Sequence, residues 1–149
     1  IAITERIGLL DRKLQRVNRL AKDQNDWCNL ARRAFQSIYG YEFQGDNLLL
    51  ARGNVLLSAE EYFRERFRDA MSFAFFEELA TIVSWNLWQM DGLTSTIPFH
   101  SAQQQGSLDG FDNKQSASYC RVKDWQTSKE FEFPPPKLNR RTRSRREIP

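Results

Sequence analysis

Two acidic side chains stand where carboxylates do chemistry in α/β proteins. Glu42 ends the run Tyr39-Gly-Tyr-Glu42, and Asp91 ends Trp88-Gln-Met-Asp91. Open sheets bind their ligands at the carboxyl ends of the strands. A carboxylate there accepts two hydroxyls of a ribose. A second one, on a neighbouring strand roughly 5 Å away, accepts from the exocyclic amine of an adenine. The same spacing also suits two acids that cap the helices following them, and both readings stand at this point. Other chemistry is thinly provided for. His100 is the single histidine, beside Phe99, and nothing near it completes a catalytic pair. That argues against a zinc cluster and against a Ser-His-Asp site. Cys28 and Cys120 form no CxxC pair and no disulfide framework, which implies a reducing, cytoplasmic location.

The elements that must carry the two acids follow from hydrophobic periodicity. Ile7, Leu10, Leu14, Val17 and Ala21 form one apolar stripe and predict a helix over residues 5–22. Arg12, Lys13, Arg16 and Arg19 lie off that stripe, as a phosphate-contacting face or simply a solvated one. Asn25 or Asp26 is the expected cap of a second helix, with Trp27, Leu30, Ala31, Ala34 and Phe35 facing inward. Ile38 to Phe43 reads as a buried strand ending near Glu42. Gly45-Asp46 breaks it, and a helix carrying Leu48, Ala51, Arg52, Val55 and Leu56 follows. Ser58-Ala-Glu-Glu61 has the form of a capping box, so a new or kinked helix is expected there, running to about Phe67 with Tyr62, Phe63 and Phe67 inward. Phe75, Leu79, Ile82 and Val83 define another helix, and Asn86 to Gly92 reads as a second strand. Residues 93–118 form a long aperiodic loop rich in Gln, Ser, Gly, Asp and Asn. Tyr119–Trp125 and Lys129–Phe133 alternate with period two and predict a hairpin, with Cys120 and Val122 opposing Phe131 and Phe133. Strands joined by long helical crossovers pair in parallel, so the fold class is α/β. Two strands make an incomplete parallel sheet. Together with a start at Ile1 rather than at a methionine, this leads us to expect a piece of a longer chain, or one that packs on a partner.

Some of these residues resemble a known family. Ser37-Ile-Tyr-Gly-Tyr-Glu-Phe-Gln-Gly-Asp-Asn-Leu-Leu-Leu-Ala-Arg-Gly-Asn-Val-Leu-Leu57 is similar to the second-strand region of S-adenosylmethionine-dependent DNA adenine-N6 methyltransferases. Ile82-Val-Ser-Trp-Asn-Leu-Trp-Gln-Met-Asp-Gly-Leu93 resembles their third-strand region. More weakly, Tyr119 to Phe131 looks like a segment that some members carry before their catalytic motif. The resemblance covers most of residues 9–131. It implies a helix-rich, partial Rossmann-like methyltransferase domain over 1–133, followed by a Pro- then Arg-rich disordered tail over 134–149. It also implies site roles. Glu42 would hold the cofactor's ribose hydroxyls and Asp91 its adenine amine, while Phe43 and Leu93 flank the ring. Two family motifs have no counterpart. No glycine-rich loop precedes Ser37, and the Pro run Phe133-Pro-Pro-Pro-Lys137 lacks the Asn or Asp before it and the aromatic residue after it. The resemblance therefore implies a fragment or remnant of an adenine-specific DNA methyltransferase, of restriction-modification or phage-defence type. It would carry the adenosine half of the S-adenosylmethionine site and have no activity alone. The alternative is a non-catalytic, methyltransferase-derived regulator that binds DNA or protein.

Charge is unevenly placed. The formal net charge is +3, yet the stretch from Lys137 to Pro149 holds six basic side chains against the single acid Glu147. The basic balance thus belongs to the tail. Arg140, Arg141, Arg143, Arg145 and Arg146 are candidate contacts to DNA phosphates. No aromatic residue interleaves them to stack on bases. Uninterrupted apolar runs are only a few residues long, so no membrane span is expected.

Overall fold

The computed structural model describes residues 2–98 and 118–133. A 3-10 turn over Ile3–Glu5 leads into α1 (Leu9–Leu20), α2 (Gln24–Gln36), β1 (Gly40–Glu42), α3 (Gly45–Phe67) and α4 (Phe73–Asn86). Then come β2 (Leu87–Gln89), β3 (Cys120–Asp124) and β4 (Lys129–Phe133). The chain is helix-rich α/β, with β1 and β2 parallel and β3 and β4 an antiparallel hairpin. The tail from Pro134 and most of the long loop, including His100, lie outside the described residues.

Helix boundaries follow local chemistry, and several differ from the periodicity reading. α1 starts at Leu9, because Gly8 is a poor helix former and takes the N-cap. Ile7 is thereby excluded from the stripe and is 78% exposed. α2 is capped by Asp23, not by Asn25 or Asp26. Asp23 has extended backbone, and its carboxylate accepts the Asp26 amide at 2.8 Å. Asp26 sits inside the first turn and accepts the Lys22 amide at 3.1 Å, a reciprocal arrangement like a capping box. The Ser58 box starts nothing: α3 runs unbroken, and the Ser58 hydroxyl donates to the Asn54 carbonyl one turn back. A serine already inside a turn of good helix formers has no free amide to cap. α3 ends at Arg68, held left-handed at φ 55° with its amide donating to the Arg64 carbonyl.

The four helices share one core. Trp27, fully buried on α2, meets Phe63 of α3 edge-on at 5.1 Å and Phe75 of α4 at 6.4 Å. Each edge-to-face pair adds about 1 kcal/mol beyond the area it buries. The Trp27 indole donates to Asn18 Oδ1 on α1 at 2.6 Å, so its polar edge is satisfied inside the core. Leu14, Ala31, Tyr62, Leu79 and Ile82 complete the packing. This helical block is the platform on which the small sheet rests.

Asn86 joins block, sheet and hairpin. The strand pattern predicted from residue 86 begins one residue later, because Asn86 is the last residue of α4. Its buried amide donates to the carbonyls of Phe35 and Ile38, each at 2.9 Å, and its Oδ1 accepts the Trp125 indole at 2.7 Å. The end of α2, the entry to β1 and the hairpin are thereby tied to one side chain.

Candidate functional site

β1 and β2 pair with Gly40 opposite Leu87, Tyr41 opposite Trp88 and Glu42 opposite Gln89. The Met90 amide then donates to the Glu42 carbonyl at 3.0 Å, extending the ladder past both strands. Asp91 lies two residues beyond Gln89, so by strand alternation it shares a face with Gln89 and Glu42. One strand spacing across and two residues along separate the two acids by about 8 Å at the backbone. Both acids stand at the carboxyl ends of neighbouring parallel strands.

Each carboxylate also closes its own turn. Glu42 Oε1 accepts the Gln44 amide at 3.1 Å, just before α3. Asp91 Oδ1 accepts the Leu93 amide at 2.8 Å. That amide, together with the hydroxyl and amide of Thr94, holds the Asp91 carboxyl below the usual aspartate range. Asp91 is therefore an anion at neutral pH. It caps a turn and not a helix: its backbone bridges Thr96, which in turn bridges Tyr119.

The flanking residues differ in what they offer. Phe43 is half exposed, and its carbonyl accepts Gln89 Nε2 at 2.9 Å. Leu93 is 97% exposed, with its side chain in solvent. The five tail arginines, Arg140, Arg141, Arg143, Arg145 and Arg146, lie outside the described residues.

Three residues to which the sequence reading gave no site role shape this rim. Gln89 pins the turn between Glu42 and α3 through the Phe43 carbonyl. Tyr41 packs over Gly92 so closely that a Cβ there would lie 2.9 Å from its ring, so Gly92 leaves room for an aromatic face beside Asp91. Arg52 on α3 reaches back to the Leu87 carbonyl at 3.0 Å through Nε and to the Ser84 carbonyl at 3.2 Å. It thereby satisfies the end of α4 and fixes where β2 begins. A single glycine after an acid was the one sequence signal for the Tyr41 contact. Arg52 stands in the helical set of residues 48–56 without a site role there, and nothing in the sequence pointed to Gln89.

The hairpin lies against the same sheet. Tyr39 donates its hydroxyl to the Lys123 carbonyl at 2.9 Å, Trp88 meets Phe133 edge-on at 5.6 Å, and the Cys120 thiol donates to the Gln89 carbonyl at 3.2 Å. Its register, Cys120 opposite Phe133 and Val122 opposite Phe131, is the one that alternation predicts. Among the described residues no group of three His, Cys, Asp or Glu side chains comes together as a metal site, and no helix is long and apolar enough to cross a membrane.

Chemically, the described residues of the rim offer carboxylate acceptors. Glu42 retains Oε2 without a donor among the described residues. Compared with protein-family models, with curated proteins and with solved structures, the chain finds no match.

Proposed function

We propose that the rim of Glu42 and Asp91 grips an adenosine, that of S-adenosylmethionine first of all. On this reading the chain is a fragment or remnant of an adenine-specific DNA methyltransferase with a partial Rossmann-like fold, and it does not turn over alone. The observation that supports it is the register. Two carboxylates on one face close adjacent parallel strands, separated by about the long dimension of a nucleoside. Glu42 takes the ribose hydroxyls and Asp91 the adenine amine. Tyr41 and Phe43 offer apolar faces near the ring. The acceptor set fits the adenosine half of the cofactor, and no described residue serves its methionine half. When bound, the cofactor would supply an activated methyl group. This chain's residues would only hold and orient the nucleoside end.

Titration with S-adenosylmethionine, followed by calorimetry or by tryptophan fluorescence, tests the reading. An edge contact and a bidentate ribose contact give about 2–4 kcal/mol before entropy costs, so saturation is expected near millimolar. E42Q and D91N should each weaken binding about tenfold or more, since hydrogen bonds to a charged acceptor are the stronger kind. No saturable signal, or equal binding by both variants, refutes the proposal. Methyl transfer to unmethylated DNA by the chain alone refutes its inactivity.

A second reading, a non-catalytic regulator descended from such an enzyme, draws on the turn contacts. Both carboxylates already accept amides of their own loops, as residues retained for structure would. Wild-type folding with no S-adenosylmethionine binding favours this reading.

A further inference from the structure

The arginines of this chain divide into two groups. Arg6, Arg32, Arg64, Arg68 and Arg121 pair with carboxylates. Arg52 and Arg66 donate to backbone carbonyls. Among the described residues the unpartnered ones are Arg12, Arg16, Arg19 and Arg33, all exposed and all on α1 or α2. An unpaired surface guanidinium is ordinary singly. Four on two adjoining helices are a field.

These helices enclose a groove of about 220 Å3, walled by Lys13 and Arg16 of α1 and by Arg33 of α2, with no acid in its lining. The nearby acids are directed elsewhere. Asp11 accepts the Tyr62 hydroxyl at 3.2 Å, on the α3 side of α1, Asp23 caps the far end of α2, and Asp26 accepts the Lys22 amide at that same end. Lys13 donates to the Ser37 hydroxyl at 2.9 Å and spans the groove at its other end. Arg12 stands one turn before Arg16, about 6 Å along the axis. Cations are therefore strung along an open channel, with one more across it. A free phosphate or a nucleotide calls for donors converging on one point. A chain of phosphates calls for donors in series.

We propose that the α1–α2 groove docks the sugar-phosphate backbone of a nucleic acid, independently of base sequence. Ser37 lies just ahead of β1, so the groove opens toward the amino end of the strand whose carboxyl end bears Glu42. The contact is thus a second site, away from the nucleoside rim, and it stands whether or not that rim binds a cofactor.

The test measures the affinity of the whole chain for a 20-base-pair duplex of arbitrary sequence by fluorescence anisotropy, without cofactor, at several salt concentrations. Each phosphate contact contributes roughly 0.9 to the log-log salt slope. The triple variant R12Q/R16Q/R33Q should lower that slope by about 2–3 and weaken binding more than tenfold at 0.1 M salt. The basic tail is present in both proteins, so its contribution cancels. R64Q/R121Q, which removes two paired arginines, should leave the slope unchanged, and circular dichroism checks that each variant is folded. An unchanged slope in the folded triple variant overturns the proposal. Equal loss in the control pair overturns it too, since only general charge would be at work. Loss of poly-glutamate binding with duplex binding intact assigns the groove to an acidic protein and likewise overturns it.

Discussion

Removing the Asn86 side chain should loosen the whole sheet end of the molecule. Asn86→Ala deletes three hydrogen bonds inside a buried site. The Phe35 carbonyl keeps the Ile38 amide at 3.2 Å. The Ile38 carbonyl and the Trp125 indole lose the partner that Asn86 gave them. Both groups are partly buried, and each one orphaned costs about 1–3 kcal/mol, so the expected loss is about 2–6 kcal/mol, a large part of a small domain's stability. Asn86→Asp is the sharper probe, because it keeps the shape and the acceptor for Trp125. It also turns the donor that faces two carbonyls into an oxygen, and it buries a charge. It should therefore cost more than the alanine variant, or prevent folding at neutral pH. Urea unfolding of the full chain, followed by circular dichroism and tryptophan fluorescence, measures both. Trp125→Phe, alone and combined with Asn86→Ala, isolates the indole bond. The cycle should return a coupling of about 1–2 kcal/mol. An alanine variant within 1 kcal/mol of wild type, or an aspartate variant no worse than alanine, would refute the reasoning.

Two further outcomes follow from local geometry. Ser58→Ala should change stability by less than about 0.5 kcal/mol in urea unfolding, since a hydroxyl bonded one turn back within a helix adds little. A loss near 1 kcal/mol would mean that Ser58 caps a helix start after all. The Glu78 carboxyl is lowered chiefly by its bonds to Arg32, one of them at 2.9 Å, with burial opposing. Its contribution is complete above the ordinary glutamate value of about 4.3 and disappears as pH falls through the lower folded value. Glu78→Gln should remove that part of the acid dependence, a few tenths to 1 kcal/mol for a half-exposed pair. An unchanged pH profile would show that the pair contributes nothing.

Where local physics decided an element, the sequence displayed it. The inward set of α2 was legible because Trp27, Leu30, Ala31, Ala34 and Phe35 recur with the helical period; Leu30 packs partly buried against the core and the other four are buried. The hairpin was legible because two alternating runs, Tyr119–Trp125 and Lys129–Phe133, flank a short turn. Parallel pairing followed from the length of the crossover between Glu42 and Leu87. Long-range side-chain contacts left no such trace. Asn86 looks like the first residue of a strand, since Leu87 to Gln89 alternate after it, yet it ends a helix because its amide is claimed by two carbonyls of another segment. Ser58 matches a cap motif, but a motif does not record that the preceding turn is already helical. At the rim, the carboxylates could be located, whereas their sharing with the Gln44 and Leu93 amides depends on turns that only the backbone defines. Leu93 is exposed, and its amide is bound back to Asp91, a turn contact that the sequence does not display.

The pairing of Gly40 with Leu87 bears on the order in which the polypeptide acquires its shape. Parallel partners so far apart along the chain cannot meet until the intervening helices have condensed, because closing a long loop costs entropy before any contact compensates. The β3–β4 ladder closes over only a few residues, a local event on the microsecond scale, but a lone two-stranded hairpin is marginally stable and persists by packing on the sheet. During synthesis the helices precede the hairpin, so it meets a helical block already able to condense. The acidic edge comes into being last, when Asn86 draws both segments onto Trp125.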